Sequence, residues 1–587
     1  MRPLPPFIRR HLLPIVLILL AGGGVYANTL HVPFIMDDHA ITSIGTRPLL
    51  DTILHGTARR VADLTFAVNY RLHGTDTPGY HIVNLAIHLA AALALYLLSV
   101  SALAALRGES EPAPESGFTA RFIPAAAALL FALHPLQTQA VTYIIQRYTS
   151  LATLFYLLAA LLFVRARLLH DRGAPPFCRL LPAAGCLLAG LLALGSKQIA
   201  ATLPLMLIVL EIALFRGRLL GHRLVPFCAA GAGIVILVLL VTRGGSLQDT
   251  AYDLHHATSE DNNTPRLAYF LTQTRVMVLY LRLLLIPRGQ SVFHDIGLST
   301  SLTPEVLPAL ALHVILIGTA ILLLRRADRA VPRLAALGIC WFYVALLVEA
   351  SFFPITDLIF EHRAYLPSAG IFLSVSAVTA GLVRNRSAAL ILLAIACLVL
   401  GSLTVARNRT WNDRLTLWQD TVAKAPGSYL AWGNLAGVHL ERNRPDLAIR
   451  AYVRAIELNP GLNYNIQSLL GVSLQRMGLF EGRFAAPTTD STSRPAGPDY
   501  GNMPRMGATL FNNLGLAYEY LGNPVKAREA YRSAIWADPG YDLAWFNMGL
   551  LAKNGGDGGQ VAIALRELQR LGSPWVERLQ LPHAQRP

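Results

Sequence analysis

Apolar runs long enough to approach a bilayer crossing recur from Leu12 to Ala406 and then stop. The pattern predicts crossings near 12–30, 80–106, 121–134, 149–165, 180–195, 199–215, 224–242, 307–324, 334–350, 365–383 and 388–406. The first run follows Arg9-Arg10 and could be read as a signal peptide ending at Val25-Tyr26-Ala27; the crossings that follow favour an uncleaved anchor. One more run, near 266–287, contains Gln273, Arg275 and Arg282, which are expensive at the bilayer centre. If it crossed, Arg325-Arg326 with Arg329 and Arg333 would fall outside, against the positive-inside rule. Read as re-entrant or surface-lying, it leaves every short cluster inside: Arg9-Arg10, Arg165 with Arg167, Arg216 with Arg218, Arg325-Arg326, and Arg384 with Arg386. The expectation is therefore eleven crossings, an inside N-terminus and an outside C-terminus. Loops 31–79, 134–148, 243–306 and 351–364 then face outward, and they hold nearly all the chemically capable side chains.

Beyond residue 406 the pattern changes from apolar runs to a repeat. Trp432, Asn434, Leu435, Ala448, Tyr452, Ala455 and Pro460 return 79 residues later as Phe511, Asn513, Leu514, Ala527, Tyr531, Ala534 and Pro539. Phe511, Asn513 and Gly515 return after another 34 as Trp545, Asn547 and Gly549. A 34-residue period with small residues at helix contacts and a closing Pro is the tetratricopeptide (TPR) pattern. The chain thus reads as all-α, a membrane domain over 1–406 and a TPR solenoid over 407–587. Repeats are expected at about 429–462, 463–483 (degenerate), 508–541 and 542–575. Asn434, Asn513 and Asn547 share one place on the first helix of three repeats, where amides could hold an extended peptide by its backbone or simply satisfy the repeat.

Composition narrows this further. Apolar residues make up 53% and charged residues 14%, which excludes a soluble enzyme, a disordered chain and a collagen-like one. A net charge of +15 invites a nucleic-acid partner, but the Arg clusters lie between apolar runs, as topology signals do. Lysine occurs only at 197, 424, 526 and 553; Arg and Ala richness points to a GC-rich, bacterial genome. The five cysteines are scattered and form no CxxC pair, so they read as small apolar residues rather than cystines or zinc ligands.

Several stretches together resemble the transmembrane-and-TPR family of O-mannosyltransferases, within the C-type glycosyltransferase superfamily. They are Phe34 to Asp38, Asn69-Tyr70, Gly79 to Leu85, Ala132 to Pro135, and Gln146-Arg147. Ser196-Lys197, Thr272-Gln273 with Tyr280, Glu361 to Ser368, and the TPR tail continue the likeness. The resemblance implies a polyprenyl-phosphate sugar donor, with mannose the sugar in this family's manner, and an acceptor hydroxyl of an extracytoplasmic protein. It implies reaction on the outer face, here of a bacterial inner membrane, with the TPR array periplasmic. No Walker sequence is present.

Under that resemblance the Asp37-Asp38 pair, closing an apolar run beside crossing one, supplies the base that an attacking hydroxyl needs. Adjacent carboxylates cannot both address one proton, so the second would bind acceptor or a divalent metal. Asp37 is the preferred base. Tyr80, His81, Asn84 and His88 lie at helical spacings, where polar residues also glue membrane helices; His81 is the candidate site member. Lys197, Arg363 and Arg147 suit a lipid phosphate, as handle and leaving group. His134, Gln146, Glu361 and His362 would support them, with Glu361 pairing Arg363. His255-His256 reads as a solvated loop. Two other functions compete: a glycan- or lipid-modifying enzyme whose TPR array recruits a partner, and a non-enzymatic TPR scaffold for envelope or pilus assembly.

Overall fold

The computed structural model describes residues 6–55, 57–107, 116–218, 264–351, 354–355, 357–458 and 503–581. The expected crossing at 224–242, the His255-His256 loop and the degenerate repeat at 463–483 lie outside them. The described residues form helices and no strand. They divide into two compact units, the second starting at Arg414 and including Phe293–Asp295.

The first unit is a membrane helix bundle. In order, its helices are α1 (Pro6–Tyr26), α2 (Ala40–Gly45), α3 (Leu49–His55), α4 (Arg60–His73) and α5 (Pro78–Arg107). Then come α6 (Ser116–Leu133), α7 (Thr138–Val141), α8 (Arg147–Asp171), α9 (Pro176–Leu194) and α10 (Leu203–Phe215). After the undescribed stretch follow α11 (Arg266–Leu285), α12 (Val306–Arg326), α13 (Ala330–Leu346), α14 (Tyr365–Leu382) and α15 (Arg386–Trp411). Eight of the expected crossings coincide with eight helices apolar and long enough to span a membrane. Burial separates two kinds. The spans built on α5, α8, α10 and α14 are more than half buried, whereas those of α1, α9, α12 and α15 expose Leu20, Leu181, Val314 and Leu398 as a lipid-facing surface would.

Three apolar runs differ in form from expectation. The 121–134 run is the first arm of a pair bent by 50° at His134-Pro135, because the residue before Pro is forced into an extended conformation. The 334–350 run forms only the 17-residue α13, shorter than the ~20 residues a full crossing needs. The 266–287 run is one continuous helix, α11, so it does not re-enter. Its Arg275 is turned to the Gly297 carbonyl, Ser299 and Glu305.

The second unit contains α16 (Arg414–Lys424) and three helix pairs. These are α17 (Tyr429–Glu441) with α18 (Pro445–Leu458), α19 (Met503–Tyr520) with α20 (Pro524–Ala537), and α21 (Asp542–Asn554) with α22 (Gly558–Arg570), followed by α23 (Trp575–Gln580). Repeat residues Ala448, Tyr452, Ala455, Ala527, Tyr531 and Ala534 are buried together, which is why the period needs them small or planar. Trp432 and Trp545 each donate an indole N–H to the prolyl carbonyl six residues back, Pro426 and Pro539, and so cap the preceding turn. The boundary falls at 413/414 rather than 406/407, because α15 runs on to the buried Trp411.

Candidate active site

The segment after α1 turns sharply at Met36, whose φ of 49° is uncommon for a residue with a side chain. The turn separates the two carboxylates. Asp38 is buried: one oxygen accepts the Ile35 N–H at 2.9 Å, the other the Ile145 N–H at 2.7 Å, and the Ile144 N–H adds to them. It therefore staples this turn to the one preceding α8. Asp37 is exposed, and its N–H donates to the Tyr143 hydroxyl at 3.1 Å while its side chain bonds the same hydroxyl. The pair thus has one carboxylate committed to the backbone and one exposed. Among the described residues no three His, Cys, Asp or Glu side chains converge as a metal site would require. With both Asp38 oxygens already accepting N–H bonds, the pair does not fit a divalent ion.

Arg147 is placed differently from expectation. It is fully buried, and its guanidinium donates to Asn84 Oδ1 (2.6 Å), Asn69 Oδ1 (2.8 Å), the Tyr80 carbonyl (3.2 Å) and the Thr65 carbonyl and hydroxyl (3.3 and 3.4 Å). It also lies over the Phe66 ring at 4.4 Å. A planar fork with five N–H groups and five acceptors has no edge left for a phosphate. Arg147 is instead the strut that ties α4, α5 and α8 together, within electrostatic reach of Asp38.

His88 and two of the supporting candidates, His134 and His81, are helix glue. His88 bridges the Tyr365 hydroxyl (2.7 Å) and the Ala132 carbonyl (3.1 Å). His134 joins the Leu136 N–H to the Leu284 carbonyl, fixing the bend. His81 bonds the Val32 carbonyl at 2.9 Å and so holds the strand-like approach to the Asp37 turn; its Nδ1 is buried without a partner.

The remaining cations converge. Lys197, in the gap between α9 and α10, places Nζ 3.0 Å from Glu349 Oε1 and 3.0 Å from Thr149 Oγ1. Thr149 in turn donates to Gln146 Oε1, so Gln146 positions Lys197 through one hydroxyl. Arg363 places Nε 3.9 Å from the same Glu349 oxygen and bonds the Tyr269 hydroxyl. Lys197, Glu349 and Arg363 are 8, 7 and 7% exposed, so the cluster is buried with one carboxylate between two cations. Burial pulls the Lys197 ammonium below the usual lysine range, with Glu349 opposing. Arg59, above the Tyr148 ring and bonded to Gln198, and the buried His362, stacked on Phe360, lie within electrostatic reach of it. Asp357 is within electrostatic reach of both Arg363 and Asp37, so the carboxylate and the cations belong to one region.

Glu361 is not the partner of Arg363: its carboxylate accepts the Ser291 N–H at 2.7 Å. That partner is Glu349, which sequence reading missed. The available signal was the one that singled out Asp37, an acid closing an apolar run, here Leu346-Leu347-Val348.

The three TPR asparagines do not form a uniform ladder. Asn434 bonds the Leu430 carbonyl of its own helix, Asn513 bonds Tyr452, and Asn547 is buried against Asn512 at 2.8 Å. The amides of Asn513 and Asn547 join repeat helices, that of Asn434 bonds only its own helix, and Asn547, 2% exposed, cannot also grip a peptide.

Residues 429–462 and 508–541 match the tetratricopeptide repeat family. The chain is similar to a protein O-mannosyl-transferase of Caenorhabditis elegans, 27% identical over 415 residues that cover 69% of this chain and 54% of that one. It is 30% identical to Protein O-mannosyl-transferase Tmtc3 of Drosophila melanogaster over 210 residues, 32% of this chain and 22% of that one. Over 116 residues it is 34% identical to the human Protein O-mannosyl-transferase TMTC4, 19% of this chain and 15% of that one. The chain spans about half the length of the nematode relative and less of the others. The resemblance read from the motifs holds in these comparisons.

Proposed function

We propose that the chain is an inverting membrane glycosyltransferase that moves a sugar from a polyprenyl-phosphate donor to a hydroxyl of an extracytoplasmic protein. The supporting observation is an exposed, oriented carboxylate, Asp37, in one region with two buried cations, Lys197 and Arg363, that share the contact of one carboxylate, Glu349. Asp37 takes the proton of the acceptor hydroxyl, whose oxygen attacks the anomeric carbon. The bond from that carbon to the phosphate oxygen breaks with inversion, and Lys197 and Arg363 stabilise the charge that develops on the leaving phosphate. Arg59 adds to the positive surroundings. Mannose and a protein acceptor follow from the names of the relatives, and a protein-binding role suits the TPR unit. The site and that unit would face the periplasm of a bacterial inner membrane, with the N-terminus cytoplasmic.

The test is transfer by the purified full chain in lipid nanodiscs from a polyprenyl-phosphate mannose to an extracytoplasmic protein, read by mass spectrometry with the anomeric configuration of the product. Asp37→Asn keeps the shape and removes the base, so transfer should fall by roughly 10²–10⁴-fold while donor binding stays. Near-normal turnover in Asp37→Asn, or a product of retained configuration, overturns the reading.

A further inference from the structure

The cationic cluster has an unusual charge balance. Lys197 and Arg363 address the same oxygen of Glu349, at 3.0 and 3.9 Å, and all three side chains are at least nine-tenths removed from solvent. Among the described residues the cations Lys197, Arg363 and Arg59 face two carboxylates, Glu349 in contact and Asp357 at longer range, which leaves an excess positive charge that is costly unless a further anion joins. The two contacts are also unequal. The lysine pair is a full hydrogen-bonded ion pair, and the arginine pair stands at the edge of direct contact.

Glu349 is held in place apart from its charge. It lies in the turn after α13, its N–H donates to the Leu346 carbonyl, and its own carbonyl accepts the Tyr269 hydroxyl at 2.8 Å. Its backbone is therefore fixed, and only the carboxylate is free to retreat from the cations. Lys197 keeps the Thr149 hydroxyl and Arg363 keeps Tyr269, so both cations remain oriented when that carboxylate moves.

We propose that Glu349 is a displaceable counter-ion for the lipid phosphate. In the empty site its carboxylate neutralises Lys197 and Arg363, and the phosphate of the polyprenyl lipid takes its place between them on binding. The inference rests on the reading of Lys197 and Arg363 as the donor-phosphate site. Glu349 is a positioning residue that never touches the sugar. Its charge weakens phosphate binding and, after transfer, competes with the polyprenyl phosphate product and speeds its release. Without that carboxylate the site would hold its product.

The experiment measures binding of a short-chain polyprenyl phosphate to the full chain in detergent micelles, with the corresponding polyprenol as the phosphate-free control. Lys197→Ala and Arg363→Ala should each weaken the phosphate by roughly ten- to a hundred-fold and leave the alcohol unchanged. Glu349→Gln should tighten the phosphate by about ten-fold or more. In turnover it should lower the donor KM and lower kcat together, with stronger inhibition by added polyprenyl phosphate. Glu349→Asp, which keeps the charge but withdraws it by one methylene, should bind the phosphate more tightly than the wild type and serves if the Gln variant folds poorly. If the Lys197 and Arg363 variants lose the phosphate while neither Glu349 variant binds it more tightly, the counter-ion role is overturned and the phosphate site stands. If the Lys197 and Arg363 variants bind as the wild type does, the phosphate site itself is wrong and the inference falls with it.

Discussion

Arg147, on α8, donates its guanidinium hydrogens to neutral acceptors on two other helices, and this makes its loss a folding defect rather than a catalytic one. Arg147→Ala strands the buried carbonyls of Asn84 and Asn69, each at about 1–3 kcal/mol. Thermal unfolding should show a loss of that order, while the folded fraction binds polyprenyl phosphate as the wild type does, unlike Lys197→Ala. Asp38 carries a pH signature. Burial, the dominant effect, pushes its carboxyl up to about 8, with its N–H donors opposing and the Asp37 charge adding. The folded chain then keeps a proton that the unfolded chain releases near pH ~4. This stabilisation is complete below that pH and is lost as pH climbs through about 8. The unfolding midpoint of the wild type should fall between pH 5 and 8 (a range set roughly by those two values), and Asp38→Asn should flatten the slope. A slope unchanged by that substitution assigns the pH dependence elsewhere. Asp37, Lys197 and Arg363 were legible as candidates because each is a charge stranded beside apolar sequence. The divided roles of Asp37 and Asp38 were not, because they depend on the turn at Met36 and on amides more than a hundred residues away.

The elements that hold the cluster cross at two glycines. A Cβ on Gly338 of α13 would stand 2.2 Å from the Gly370 carbonyl of α14, and one on Gly370 would stand 2.4 Å from the Gly338 carbonyl. Ser374, one turn on, donates to the Ala335 carbonyl at 2.7 Å, so small residues let these backbones touch as membrane helices often do. The crossing matters for chemistry because α13 leads into Glu349 and α14 emerges from Glu361–Ala364. Gly370→Ala meets backbone, which cannot rotate away, and should destabilise the bundle by roughly 1–3 kcal/mol. It should also loosen the Lys197–Glu349–Arg363 arrangement and weaken polyprenyl phosphate binding. Gly318→Ala on α12, where nothing lies within 4 Å, is the matched control and should be neutral. Unchanged stability and binding in Gly370→Ala would mean that the crossing does not support the cluster. The eight long helices were readable because each is a continuous apolar run. The contact of Gly338 with Gly370 was not, because sequence does not say which glycine faces another helix. The bend at His134 had a local cause in Pro135, but a break inside an apolar run looks like a crossing until its backbone is seen.

At the scale of the whole molecule, chemistry and repeats are separable. Asp37, Lys197, Glu349 and Arg363 all belong to the first unit, and their supports Tyr143, Thr149 and Tyr269 do too. The repeat helices bury their own core of Ala436, Tyr452, Phe511, Leu514 and Tyr531, and the membrane bundle buries another. The 34-residue period was plain in the sequence because packing demands the same small residues in every pair, whereas Asn513 and Asn547 in that period bond other repeat helices and Asn434 bonds its own. If the repeats recruit the protein acceptor, their binding energy is used at a distance from the reacting atoms and selects the protein without touching the sugar. A chain ending at Asp413 should then bind polyprenyl phosphate within about 3-fold of the full chain, since a difference below ~0.7 kcal/mol is what an intact site allows. It should hydrolyse the donor slowly and lose transfer to whole proteins by at least about 10-fold, while a short soluble acceptor is still modified. Asn434→Ala with Asn513→Ala and Asn547→Ala, in the full chain, should lower the stability of the repeats instead of selectively abolishing acceptor capture. Full transfer to whole proteins by the truncated chain would show that acceptor choice resides in the membrane unit, and the repeats would then serve a partner of another kind.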